Sequence, residues 1–174
     1  MLNTEDSLVL IIDIQERLLN AVFDKNIEKN AQKLVNTAKI LNIPTLATEQ
    51  YPKGLGQTVP NIVEFLDKTI EKTSFSAFDD IKAELEKTNK KQIILCGIEG
   101  HICVYQTALD LLKNGYEVYL MKDGTGSRNK FELDCAYELL KESGVKLTCL
   151  EIILFEWLKS SKHKDFKEIQ QLIK

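Results

Sequence analysis

Lys91-Gln-Ile-Ile-Leu-Cys-Gly-Ile-Glu-Gly-His-Ile-Cys-Val-Tyr-Gln-Thr-Ala-Leu-Asp-Leu-Leu112 is the stretch on which the reading of this chain turns. Ile93 to Cys96 is an apolar, β-branched run of the kind that forms a buried strand. Gly97 to Gly100 reads as a tight turn, and from Ile102 onward the apolar spacing becomes helical. Cys103 therefore falls where a helix begins. Unpaired amides and the positive end of the helix dipole favour an anion there, so its thiol is expected to ionise more readily than a free cysteine, with its pKa of about 8.5. The flanking glycines would let the main chain approach a ligand closely, as a nucleophile placed on a strand-to-helix turn requires. The plainer alternative is that Cys103 is a small buried hydrophobe.

Working outward, Ser7-Leu-Val-Leu-Ile-Ile-Asp13 is a second apolar run, suited to a central parallel strand covered on both faces, and it ends in a carboxylate. Ligands of open α/β sheets bind at the carboxyl ends of strands, so Asp13 is a candidate functional group as well as a candidate turn cap. Asn26 to Leu41 carries the apolar stripe of a helix packed on a sheet, stopped by Asn42-Ile-Pro44. Thr45 to Thr48 reads as a short strand, and Glu49 to Pro60, with two prolines and two glycines, as a long loop of the sort that walls a pocket. Thr69 to Lys72 is a further short strand running into Thr73-Ser-Phe-Ser-Ala-Phe78, followed by a helix over 79–86. A lysine is ordinarily a solvated surface charge, but Phe75, Ala77 and Phe78 predict partial burial of Lys72, and a buried ammonium requires anionic partners.

Beyond the central stretch, Gly115 to Met121 reads as a strand, Lys122 to Arg128 as a polar loop, Phe131 to Leu140 as a helix closed by Ser143-Gly144, and Val145 to Cys149 as the last strand. Alternating strands and helices, with connections long enough for crossovers, predict an α/β fold: a three-layer α-β-α sandwich around a parallel sheet. Ile152 to Leu158 and the amphipathic 166–173 segment close the core or supply a subunit contact, pointing to a homo-oligomer.

The chain has 174 residues, 44% of them apolar and 28% charged, which fits one soluble domain over 1–174. A formal charge of −3 with scattered cations provides no footprint for nucleic acid or an anionic membrane, so the expected partner is a small-molecule substrate. No signal-like start precedes the first strand, and the expected location is cytoplasmic. The four cysteines lack Cys-x-x-Cys spacing and the only histidines are His101 and His163, leaving little material for a zinc site or a Ser-His-Asp triad. Neither a metal nor another cofactor is expected.

Three strand ends thus offer a carboxylate, an ammonium and a thiol: Asp13, Lys72 and Cys103. Brought to one crevice they form a self-consistent catalytic set, lysine stabilising the thiolate and aspartate moving the proton. Backbone amides of Cys103 and of Glu99 or Gly100 would hold an oxyanion. His101, two residues before the thiol, is expected to point elsewhere. Gln15, Glu49, Tyr51, Phe75 and Phe78 are the candidate pocket lining.

Asp13-Ile-Gln15, Lys72 with Ser76-Ala-Phe78, and Gly97-Ile-Glu-Gly-His-Ile-Cys-Val104 with Thr107, in this order, resemble the isochorismatase-like cysteine hydrolase family over essentially the whole chain. Thr48 to Gly56 and the closing 166–174 segment resemble one subgroup of it. The resemblance implies six parallel strands, an Asp-Lys-Cys triad at Asp13, Lys72 and Cys103, and a non-proline cis peptide at Ile98–Glu99. The nicotinamidase branch carries an Asp and His metal site after its second strand, where this chain has Glu49-Gln-Tyr-Pro52. The family's name-giving enzyme cleaves a vinyl ether without the cysteine. Cys103 therefore favours hydrolysis of an amide or related C–N bond through a thioester; a catalytically weak binding or assembly protein is the alternative.

Overall fold

The computed structural model describes residues 1–174. In chain order the elements are β1 (Ser7–Ile12), α1 (Glu16–Ala21), α2 (Ile27–Ile40), β2 (Thr45–Gln50), the single turns α3 (Pro52–Leu55) and α4 (Pro60–Val63), β3 (Lys68–Lys72) and α5 (Phe78–Thr88). Then come β4 (Gln92–Ile98), a π-type turn (Gly100–Val104) that runs into α6 (Tyr105–Lys113), β5 (Glu117–Gly126), α7 (Lys130–Glu142), β6 (Lys146–Thr148), α8 (Leu150–Leu158) and α9 (Phe166–Ile173). The six strands form one sheet in the order β3-β2-β1-β4-β5-β6, and every pairing is parallel.

Side chains alternate across a strand, and here both faces are covered, which is why the central strands read as unbroken apolar runs. Val9 and Ile11 of β1, with Ile94 and Cys96 of β4, join one core against α2, α8 and α9. Leu8, Leu10 and Ile12, with Ile93 and Leu95, join the other against α5, α6 and α7. This is the expected three-layer α/β sandwich. None of its helices is long and apolar enough to cross a membrane.

Three strands run further than their sequences suggest: β4 takes in Gly97 and Ile98, the first half of the stretch expected to be a turn, because Gly97 pairs with Ile12 and Thr125 and Ile98 with Gly126. β2 continues through Glu49 and Gln50 because these residues pair with Glu71 and Lys72 of β3, so the pocket-side loop begins two residues late and contains α3 and α4. β5 continues to Gly126: after Leu120 pairs with Leu95 its register slips, and Thr125 and Gly126 pair with Gly97 and Ile98. The polar segment Lys122-Asp-Gly124 is the bulge that absorbs the slip, tied down by Thr125 Oγ1 donating to the Met121 carbonyl at 2.8 Å. Polar composition and glycines had made this stretch read as a loop; cross-strand pairing overrides them.

The winding reverses between β1 and β4. From β1 the chain winds outward to β3, then returns to β4 on the other side of β1. A crevice opens at the carboxyl ends of strands at such a switch point, and Asp13 and the turn that begins at Glu99 follow the two strands that flank it.

Candidate active site

Gly97 has φ +137, and a Cβ added there would lie 2.0 Å from the Ile12 carbonyl oxygen, so β4 approaches β1 more closely than any other residue permits. At Gly100 an added Cβ would meet Leu133 Cδ1 at 2.3 Å, so the turn also presses against α7. The Ile98–Glu99 peptide bond is cis. The Glu99 carbonyl accepts the amides of Ile102 and Val104 and skips that of Cys103, which an ordinary α-turn would engage. A widened turn of this kind is common at functional sites.

Asp13 follows β1 in the left-handed conformation, φ 48, and is fully buried. Its Oδ1 accepts the Thr48 hydroxyl at 2.7 Å. Its Oδ2 lies 2.7 Å from Lys72 Nζ in an ion pair with both side chains at 0% exposure. The ammonium also donates to Gln50 Oε1 at 2.7 Å and reaches the carbonyls of Ser74 at 3.1 Å and Phe75 at 3.2 Å, so that four oxygens surround its three protons. The Ser74–Phe75 segment is held by Ser76 Oγ donating to Asp110 Oδ2 at 2.6 Å and by the Ala77 amide donating to Thr107 Oγ1 at 3.0 Å. Here Ser76 and Thr107 acquire a physical reason: they bolt the loop that receives Lys72 onto α6.

Cys103, 8% exposed, lies within the electrostatic reach of both partners. Burial, and then the Asp13 charge, push its thiol up to about 11, against a smaller lowering by Lys72. This corrects the expectation that the turn would hold a ready thiolate: one cation already paired with a carboxylate, in a dry site, does not offset desolvation of the sulfur anion. The resting group is a thiol beside a carboxylate.

The remaining candidates part ways. Tyr51, 60% exposed, lines a cavity of about 280 Å³ with Pro52, Lys53, Glu71, Lys72, Thr73 and Asp80. Phe75 is 56% exposed, whereas Phe78 is buried in the core against Tyr116. Glu49 faces the opposite side of β2, where its Oε1 accepts the Thr58 amide at 2.6 Å. The Gln15 amide is fully engaged: Oε1 accepts from Gln50 N at 2.8 Å, and Nε2 donates to the carbonyls of Gln50 at 3.1 Å and Gly56 at 2.6 Å. Both residues brace the loop after β2. His101 points away from the thiol, with Nδ1 2.9 Å from Ser127 Oγ, and Glu99 Oε1 accepts from Arg128 Nε at 2.8 Å. No cluster of three His, Cys, Asp or Glu side chains able to hold a metal ion occurs in the chain.

Two residues of the site escaped the sequence reading, Thr48 and Gln50. They stand two apart on β2, on the face opposite to Glu49, and bridge Asp13 on one side to Lys72 on the other. Period-two alternation would have found them had the strand been extended by two residues.

Sheet order and switch point place the chain among doubly wound α/β proteins, and comparison narrows that class. The family model described as the isochorismatase domain matches residues 7–152, and the chain belongs to the isochorismatase family. It is 41% identical to isochorismatase domain-containing protein 2 of Danio rerio, over 99% of this chain and 89% of the relative. Among solved structures, the MAR1 ribonuclease from Caenorhabditis elegans superposes with a TM-score of 0.93 at 36% identity, covering 99% of this chain and 91% of that one. The Escherichia coli YcaC gene product, described as an octameric hydrolase of unknown specificity, gives 0.93 at 27% identity over 99% and 88%. YcaC from Pseudomonas aeruginosa, solved with hexane-2,5-diol and covalent acrylamide, gives 0.92 at 26% over 98% and 90%.

Proposed function

We propose that the chain is a cysteine hydrolase that cleaves a small amide or related C–N bond through a thioester on Cys103. The observation that carries this reading is the convergence of three groups: Asp13 and Lys72 form a buried ion pair at 2.7 Å, and Cys103 lies within the electrostatic reach of both. A carboxylate held beside a thiol is placed to take its proton as the sulfur attacks.

In the first half-reaction Cys103 Sγ attacks the carbonyl carbon as Asp13 Oδ2 removes the thiol proton. The carbonyl π electrons move to oxygen, where the amides of Cys103 and of Glu99 or Gly100 stabilise the charge. On collapse the C–N bond breaks and the nitrogen takes the proton from Asp13. A water molecule then attacks the thioester, giving its proton to Asp13, which returns it to the departing sulfur. Lys72 keeps a positive charge beside both groups throughout. Because the thiol rests protonated, attack and proton removal proceed together.

Support comes also from a relative: the P. aeruginosa YcaC structure contains covalent acrylamide, a small electrophile of the kind that a reactive thiol captures. A second reading has its own observation, the ribonuclease designation of the C. elegans relative. The net charge of −3 and the depth of the Asp13–Lys72 pair favour a small substrate over an RNA chain. The octameric state described for E. coli YcaC extends to this chain as a proposal of homo-oligomeric assembly, to which exposed Phe131, Leu139, Ile152 and Phe155 are suited.

The test is a panel of small amides and carbamates followed by intact mass and product release, with an RNA arm alongside. An acyl mass on Cys103, and loss of turnover by three orders of magnitude or more (~10³) in Cys103→Ala with an unchanged circular dichroism spectrum, are expected. Adducts confined to Cys96, Cys135 or Cys149 reject the nucleophile, and RNA cleavage that survives Cys103→Ala rejects the chemistry.

A further inference from the structure

We propose that Gln50 is a positioning residue of this site: its neutral side-chain oxygen holds the Lys72 ammonium beside Asp13 without placing a second negative charge near the Cys103 thiol. The inference rests on the cysteine-hydrolase reading above and names a residue that reading does not contain.

The orientation of the Gln50 amide is determined by its neighbours. Nε2 donates to the Thr73 carbonyl at 2.8 Å, so the atom facing Lys72 Nζ at 2.7 Å is the oxygen. The residue itself is held by Gln15, whose amide accepts from Gln50 N and donates to its carbonyl, and by pairing opposite Lys72 in the sheet. Of the four oxygens around the ammonium, those of Gln50, Ser74 and Phe75 are uncharged and Asp13 Oδ2, at 2.7 Å, is the anion.

The choice of glutamine over glutamate matters as much as the geometry. A carboxylate at this position would give Lys72 two anionic partners and cancel the field it exerts on the sulfur. An apolar side chain would remove one of the two closest acceptors of the ammonium and loosen its position beside Asp13. In the first case the thiol becomes harder to ionise; in the second Lys72 is held less well during turnover.

The charged and titratable groups around the thiol are few. Asp13 faces it from β1 and Lys72 from β3, while on its own turn Glu99 and His101 are directed to Arg128 and Ser127. From the packed helices come Phe78 of α5 and Leu133 and Tyr137 of α7, the Tyr137 hydroxyl donating to backbone carbonyls of β5. A charge introduced at Gln50 is therefore read chiefly through Lys72.

The probe is iodoacetamide at pH 8 on the full-length chain, with alkylation of Cys103 followed by peptide mass. Gln50→Glu is expected to slow Cys103 alkylation about tenfold, the drop in thiolate fraction that accompanies a rise of one pH unit in its midpoint. Gln50→Met, which adds no charge, is expected to leave alkylation within about twofold and to lower turnover on whatever amide the screen yields through kcat with KM retained. A merely structural role has a different signature: looser packing exposes the sulfur, and alkylation is faster in both variants. Alkylation of Gln50→Glu that is unchanged or faster, or turnover of Gln50→Met that is unchanged, overturns the inference, and if one variant fails to fold by circular dichroism the other decides. This outcome is distinct from failure of the hydrolase reading, which shows in the wild-type protein as turnover independent of Cys103.

Discussion

Asp13 and Lys72 form a buried ion pair at 2.7 Å, and a pair of this sort is far more costly to break than it was useful to form. Lys72→Met leaves a carboxylate without a counter-charge in a dry site, and a loss of about 3–5 kcal/mol in unfolding free energy is expected from urea titration. Asp13→Asn removes the second-largest influence that raises the Cys103 thiol. Its alkylation at pH 8 should speed up because more thiolate is present, while amide turnover falls by about 10²–10⁴ because no base receives the proton. In the wild-type protein the sign is equally definite. A thiol pushed up to about 11 is protonated at neutral pH, so the alkylation rate should climb steadily from pH 7 to 10 without a plateau. A plateau near pH 7 would mean that the resting group is a thiolate.

At the scale of the element, the decisive unit is β4 with the turn that follows. Gly97 admits no side chain, because an added Cβ would lie 2.0 Å from the Ile12 carbonyl and the backbone is already at φ +137. Gly97→Ala should cost about 3 kcal/mol, read as a shift of the urea midpoint, and should also slow any reaction of Cys103, since separating β4 from β1 moves the turn away from Asp13. The sequence displayed this unit openly: an apolar run, two glycines and a switch to helical spacing are local signals. It did not display the ends of β2 and β5. Glu49 and Gln50 are strand residues only because Glu71 and Lys72 lie beside them, and Thr125 and Gly126 only because Gly97 and Ile98 do. Strand ends are set by the partner strand, and no local window contains it.

For the whole molecule, stability depends on two cores pressed on one sheet, and α8 is the piece that the local pattern assigned least securely. Trp157, 2% exposed, buries its ring in the core shared with α2 and donates from Nε1 to Ser7 Oγ at 2.9 Å, fastening the last third of the chain to the first strand. Trp157→Ala should lower unfolding free energy by about 3–5 kcal/mol in a denaturant titration, without changing which cysteine is acylated. The amino-acid order by itself determined the α/β class, the strand that ends at Asp13 and the strand-to-helix turn that carries Cys103, because these are written in periodicity and glycine placement, while the resemblance carried by the motifs implied that Asp13, Lys72 and Cys103 form one set. Tertiary structure alone decided that Thr48 and Gln50 bridge the pair, that Glu49 and Gln15 brace a loop, and that the thiol rests protonated. Hydrogen-bond allocation and desolvation depend on which groups are packed around an atom, and those groups come from strands far apart in the chain.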